Sequence, residues 1–276
     1  LIGLLITVLL MIPSAFRDVR TDVQRLWIRE MIPYGFFLVP GLLFHALMIG
    51  SDKYMLRAMT DNPFYQIGCY SVGERISSCM QLVVLAFLTG WRRFAFTNIA
   101  SVEGRRMLSG GVSMYLLLSG YGALGLILLG DDLMRMVIDP AFAEGITVIP
   151  ALTIGCLLTG AADMFAVGLH QSKQTLKLSW LTALGAIVNV GLNYLWVPRY
   201  GIAGAAYATL LCQIFRTWVM WKYSQGDYPI LLDYRRLATI TAWLAGAYAA
   251  GRAVDLLADG VGAAVVQAAV LAGFPI

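Results

Sequence analysis

The sequence predicts an all-α, polytopic membrane helix bundle, and three observations carry that prediction. Apolar runs at residues 32–50, 65–91, 107–130, 146–170, 176–196, 201–221 and 237–251 are each long enough, or nearly so, to cross a hydrocarbon core of roughly 30 Å. Hydrophobic residues fill 59% of the 276 positions and charged residues only 13%, with a mean hydropathy of +0.73. A soluble domain keeps about a quarter of its residues charged, because its surface faces water. The charges that remain gather in short loops and change character from one loop to the next.

The elements follow in order. Residues 1–16 form an apolar run without the basic leader or small-residue cleavage site of a signal peptide, and read as the end of a preceding transmembrane helix. A basic cytoplasmic loop over 17–30 follows. Six spans then fill residues 31–223. The first carries Pro33 and Pro40 beside Gly35 and Gly41; each proline removes a helix hydrogen bond and each glycine removes bulk, which predicts a bent helix. The turn Asp61-Asn62-Pro63 separates the first span from the second. Residues 237–276 supply a further transmembrane pair, the last helix cut short. The chain therefore reads as the C-terminal part of a larger protein.

Loop charges set the orientation. Arg17, Arg20, Arg25, Arg29, Arg92, Arg93, Arg105, Arg106, Lys173, Lys177, Lys222, Arg235 and Arg236 fall on one side of the alternation. Only Lys53, Arg57, Arg135, Arg199 and Arg252 fall on the other. The excess of basic residues makes the first side cytoplasmic. The net charge of +4 is small and dispersed through loops, which excludes a nucleic-acid patch and leaves membrane lipids as the contact. No loop is long enough for a soluble domain, so function resides among the helices. Cys69, Cys79, Cys156 and Cys212 lie inside apolar runs at no metal-ligand spacing, and only His45 and His170 could join them. These cysteines read as small apolar residues, with no metal and no cofactor.

Ionisable and polar residues inside spans are costly, and so they mark candidate sites. Asp52-Lys53 and Glu74-Arg75 lie equally far from the Asp61–Pro63 turn. An antiparallel hairpin would bring them to one depth, pairing Lys53 with Glu74 and Asp52 with Arg75. Two readings stand for these charges: staples for the hairpin, or a cavity wall that includes Arg75. Tyr70, Glu74, Ser77 and Gln81 make a polar stripe at helical spacing, flanked by Ser71, Arg75 and Ser78. Thr182, Asn189 and Asn193 make a second stripe, open to a cavity-lining role or to interhelical hydrogen bonding. Asp163 is open to ion coupling or to pairing with Lys173 or Lys177. Arg216 lies close enough to a span end to snorkel beside Trp218, Trp221 and Lys222. His45 reads as a satisfied core histidine.

Three ordered segments carry a resemblance: Tyr34-Gly35-Phe36-Phe37-Leu38-Val39-Pro40, Ser51-Asp52-Lys53-Tyr54, and Ile67-Gly68-Cys69-Tyr70-Ser71-Val72-Gly73. They resemble the polysaccharide flippases, Wzx-like O-antigen and exopolysaccharide exporters of the multidrug/oligosaccharidyl-lipid/polysaccharide exporter superfamily. Gly201-Ile202-Ala203-Gly204-Ala205-Ala206-Tyr207-Ala208-Thr209, after Val197-Pro198-Arg199-Tyr200, is similar to the start of that family's twelfth helix. The chain departs from the family at Lys53, where arginine is common, and at Glu74, where an aromatic residue is common.

The resemblance implies two pseudo-symmetric six-helix lobes around a central cavity, of which 31–223 is the C-terminal lobe and the N-terminal lobe is missing. It implies a multi-pass protein of the bacterial inner membrane that is no enzyme. Such a protein flips undecaprenyl-pyrophosphate-linked oligosaccharide for export of polysaccharide such as O-antigen lipopolysaccharide. Substrate-binding candidates are Arg75, Lys53, Tyr70, Gln81 and Asn189, with Asp52, Glu74 and Asp163 as charge-pair or ion-coupling candidates. A drug/cation antiporter of the same fold is the nearest alternative. A membrane enzyme of polysaccharide assembly is a further one, disfavoured by the lack of a large basic loop.

Overall fold

The computed structural model describes residues 25–98, 101–137, 139–227, 229–230 and 232–257. The apolar runs at 1–16 and after 260 lie outside the described residues. The chain is all-helical: α1 (Arg25–Met59), α2 (Pro63–Asn98), α3 (Val102–Val137), a 3₁₀ segment (Pro140–Val148), α4 (Ile149–Gln171), α5 (Thr175–Asp227) and α6 (Tyr234–Leu257). Five described segments, within α1, α2, α3, the 3₁₀ segment with α4, and α5, are long and apolar enough to cross a membrane.

The helices outrun the apolar stretches that announce them. α1 begins at Arg25, inside the segment expected as loop, and continues through Pro33 and Pro40. The segment between the apolar runs 65–91 and 107–130 is helical on both flanks, with α2 ending at Asn98 and α3 starting at Val102. Hydropathy marks the hydrocarbon layer, whereas a helix once nucleated adds a hydrogen bond per residue until a breaker stops it. Residues 91–98 contain neither glycine nor proline. Ser101 then starts α3 as its cap, its Oγ accepting from the Gly104 N–H at 2.9 Å. Asp139 does the same for the 3₁₀ segment through Ala141 N, and Asp233 for α6 through Arg236 N.

α5 is two helices joined at a break. Gly201 has φ 54° and ψ −129°, and Pro198 lies just before it. The arms fold back on each other: Asn189 donates to Thr209, and the Cys212 thiol donates to the Gly185 carbonyl, residues nearly equidistant from Arg199. The bend expected from Pro33 and Pro40 concerns the first span, whereas this non-helical break lies in α5. A side chain at Gly201 would be doubly opposed, by the left-handed φ and by Gln66 Oε1 at 2.8 Å from an added Cβ. Gln66 Oε1 also accepts the Ile202 N–H at 3.2 Å, which ties the break to α2. Gly201→Ala should therefore lower stability by about 1–3 kcal/mol, the cost of holding a non-glycine residue in such a conformation. Thermal unfolding in detergent checks this, and an unchanged midpoint would mean the break relaxes freely.

Apolar residues face outward as well as inward. Phe36, Leu43 and Leu47 form one exposed stripe on α1, and Trp180, Leu184 and Ile187 another on α5. Such faces suit lipid rather than water. Inside, two apolar clusters lie toward opposite ends of the bundle. One gathers Leu88, Trp91, Leu108, Tyr115, Leu169 and Met220. The other gathers Leu56, Tyr70, Val148, Leu152, Val197 and Ile202.

Candidate functional site: a polar cleft between α1 and α2

The inward stripe of α1 reads Gly41, His45, Met48 and Asp52, a helical period apart, and faces two cavities in line. Both lie between α1 and α2 over α4 and α5. The larger, about 480 Å³, is bordered by Gly41, His45, Arg92, Asp163, His170, Ser179, Thr182 and Arg216. The smaller, about 250 Å³, is bordered by His45, Asp52, Tyr70, Glu74, Arg75, Ser77, Gln81, Thr159 and Thr209. His45 is common to both. Gly41 permits the approach of α1 to α5 at the larger cavity. The Ser179 hydroxyl donates to Phe37 O at 2.6 Å, and a Cβ on Gly41 would meet that hydroxyl oxygen at 2.8 Å.

One of the two expected hairpin pairs forms. Lys53 Nζ lies 2.6 Å from Glu74 Oε2, with the two side chains 40% and 34% exposed. Asp52 makes no ion pair with Arg75, and that expectation is corrected. Successive helix residues point about 100° apart, so Asp52 meets a different part of the surroundings from Lys53. Asp52 turns to α5 and the start of α2. Its Oδ2 accepts from Tyr70 Oη at 2.5 Å and Thr209 Oγ1 at 2.8 Å, and its Oδ1 from Asn193 Nδ2 at 2.7 Å. Ser51 Oγ donates to Asn189 Oδ1 at 2.6 Å, while Asn189 Nδ2 donates to Thr209 Oγ1 at 3.2 Å. α1, α2 and both arms of α5 thus converge on one carboxylate that is 4% exposed.

The other site residues divide by position. Arg75 and Gln81 are exposed on the smaller cavity, and Tyr70 and Glu74 also border it. The stripe Tyr70, Glu74, Ser77 and Gln81 is there complete. Lys53 borders neither cavity and is committed to Glu74. Asn189 is fully buried and serves the network around Asp52 rather than a wall. Asp163 pairs with Arg216 Nη2 at 2.9 Å, not with Lys173 or Lys177.

No family model matches the chain. It is similar to the probable flippase AglR of Haloferax volcanii, with 27% identity over 156 residues that make up 52% of this chain and 32% of that protein. Among solved structures it is similar to a MOP superfamily transporter from Pyrococcus furiosus Vc1 (DSM3638), with a TM-score of 0.57 at 17% identity over 87% of this chain and 58% of that one. A multidrug resistance MATE family transporter of the MOP superfamily, in an outward-facing conformation, aligns with a TM-score of 0.57 at 15% identity over 82% and 53%. The chain shares its fold with part of these transporters, a helical bundle with several segments fit to cross a membrane. The chain spans about a third of AglR and somewhat over half of each solved transporter.

Within that transporter fold, two site residues escaped the sequence reading. Thr209 gave no signal beyond its place in the segment similar to a family helix, because only the packing of the second arm of α5 against α1 brings it to Asp52. Arg216 was expected to snorkel to a span end. α5 instead runs on to Asp227, leaving Arg216 about 16 Å short of that end at 1.5 Å per residue. There it is 7% exposed and bonded to Asp163. Lys222 and Trp218 do associate, with Nζ 5.2 Å from the ring centroid.

Proposed function

We propose that this chain holds the C-terminal lobe (31–223) of a transporter that flips a lipid-linked oligosaccharide. The observation that carries the proposal is a cleft that sets polar groups and charges of both signs among apolar walls, inside a bundle whose outer faces are apolar. A sugar needs hydrogen-bonding walls, a phosphate needs a cation, and a prenyl tail needs only the lipid beside the helices. The likeness to a probable flippase supports the same reading. Gln81 and Tyr70 lie where a saccharide would pass. Arg75, exposed and without an ion pair among the described residues, is the cation for the phosphate on that side. By the excess of basic residues, the Arg92 side is cytoplasmic. In a bacterium the membrane is the inner one and the substrate is the undecaprenyl-pyrophosphate-linked unit of O-antigen or exopolysaccharide. The second lobe of the same protein completes the cavity.

A specific observation favours a second reading. The carboxylate of Asp52 is buried among neutral donors with no cation on it among the described residues, which is the arrangement a proton- or cation-coupled drug antiporter of this fold would use. Gene deletion separates the two. Flipping predicts loss of surface glycan with lipid-linked units accumulating on the cytoplasmic leaflet. In complementation, Arg75→Ala should restore almost none of it and Arg75→Lys a substantial part, since the demand is for positive charge. Intact surface glycan with raised sensitivity to cationic drugs would decide for the antiporter.

A further inference from the structure

The two arms of α5 run antiparallel, and their contacts fix which residues stand at one depth. Asn189 donates to Thr209, the Cys212 thiol donates to the Gly185 carbonyl, and Lys177 Nζ lies 5.3 Å from the Tyr223 ring centroid. That register sets Trp180 level with Trp218, Leu184 with Ile214, and Ile187 with Leu211. All six side chains are exposed on the bundle. From the Arg92 end inward, the arms thus present lysines, then a pair of tryptophans, then two pairs of aliphatic residues.

This is the order of a membrane boundary. Aliphatic residues face hydrocarbon, tryptophan sits at headgroup level, and lysine reaches just beyond it. Helix length agrees. Between the break at Gly201 and Trp218 the second arm rises about 26 Å at 1.5 Å per residue, close to the hydrocarbon thickness of roughly 30 Å. With the break at one boundary, Trp218 falls at the other.

Aromatic rings hold the cations at that boundary. Lys222 Nζ lies 5.2 Å from the ring centroid of Trp218, one turn back along the helix, so its ammonium is drawn toward the bilayer. Lys177 crosses from the first arm to Tyr223, the next residue after Lys222. A ring face attracts an ammonium through its quadrupole but carries no net charge. Both lysines therefore keep their charge, and each ammonium has three N–H donors. Among the described residues no carboxylate pairs with Lys222. The complement to this arrangement is an anion at headgroup depth with hydrocarbon chains attached.

We infer that the Arg92 end of α5 is a docking site for an anionic phospholipid of the cytoplasmic leaflet. Its phosphate meets Lys177 and Lys222 where the arms join, and its acyl chains lie along the exposed aliphatic residues deeper in the arms. A zwitterionic lipid carries its own ammonium beside the phosphate and offers the lysines no net charge. Neither lysine borders the cleft, so the inference holds whatever the protein carries.

Native mass spectrometry of the full-length protein in detergent, titrated with phosphatidylglycerol or phosphatidylcholine, tests the site. The tightest phosphatidylglycerol should bind at least tenfold more strongly than phosphatidylcholine. Lys222→Gln should weaken it about fivefold, the effect of one lysine near an anionic surface. Lys177→Gln combined with Lys222→Gln should bring it close to phosphatidylcholine, whose own binding should not change. Lys222→Arg should keep the preference. Because Lys222 is exposed, Lys222→Gln should retain the unaltered thermal midpoint, and it decides the matter even where Lys177→Gln fails to insert. Arg235→Gln with Arg236→Gln, at exposed cations of the same leaflet on α6, should lose much less than the lysine pair. An equal loss there would show diffuse surface charge and overturn the site. So would unchanged affinity in the lysine variants. Displacement of the lipid by glycerol 3-phosphate would reveal a seat for free phosphate and overturn the lipid as its occupant.

Discussion

Asp52→Asn should leave the protein in the membrane and bring its transport to background. The carboxylate accepts three hydrogen bonds, two on Oδ2 and one on Oδ1. An amide of the same shape keeps one acceptor oxygen and turns a donor toward the remaining partners. Whichever way it flips, either Asn193 Nδ2 meets another donor or the Tyr70 and Thr209 hydroxyls must turn from donating to accepting. An orphaned buried group costs about 1–3 kcal/mol in water-soluble proteins, and interhelical hydrogen bonds in membranes average nearer 0.6 kcal/mol. The stability loss should thus be about 1–2 kcal/mol, tolerable for a folded bundle. Loss of transport would follow from loss of the charge, because this carboxylate joins α1, α2 and both arms of α5 at one point. Surface glycan restored per unit of membrane-inserted protein measures it. Wild-type transport by Asp52→Asn would reduce the network to a structural staple.

The same neighbourhood shows what was legible in the sequence. Lys53 and Glu74 could be paired from their equal distances to the Asp61–Pro63 turn, because a hairpin fixes depth. Depth is only one coordinate. Rotation about the helix axis is the other, and it separates Asp52 from Lys53 by about 100°. The stripe Tyr70, Glu74, Ser77 and Gln81 could be seen because its spacing is local to one helix. So could Asn189 and Asn193, four residues apart, although their burial could not. Thr209 and Arg216 depend on how α5 folds back at Gly201, and nothing in local spacing reports that packing. The spans themselves were legible because lipid demands uniform apolarity over a fixed thickness. Helix ends were not, since α2 and α3 continue as helix beyond the layer that hydropathy detects.

Arg216 and Asp163 should prove strongly coupled in a double-mutant cycle, and unequal in their single effects. Their side chains are 8% and 32% exposed, so the arginine depends more on its partner than the aspartate does. Asp163→Leu would leave a buried guanidinium with only the long bond to Gln213. Removing one member of a buried ion pair costs about 3–5 kcal/mol, and this variant should fall toward that range. Arg216→Leu leaves a carboxylate that the cavity can partly hydrate, and about 2 kcal/mol is expected once that exposure is discounted. The double variant replaces both charges by apolar groups, the one at position 216 shorter than the arginine it replaces. It should lose no more than about 1 kcal/mol, because neither charge is then buried alone. Unfolding in detergent measures all four proteins. Additive losses in the double variant would mean that the 2.9 Å contact contributes nothing, and that Arg216 is held in the bundle by its packing alone.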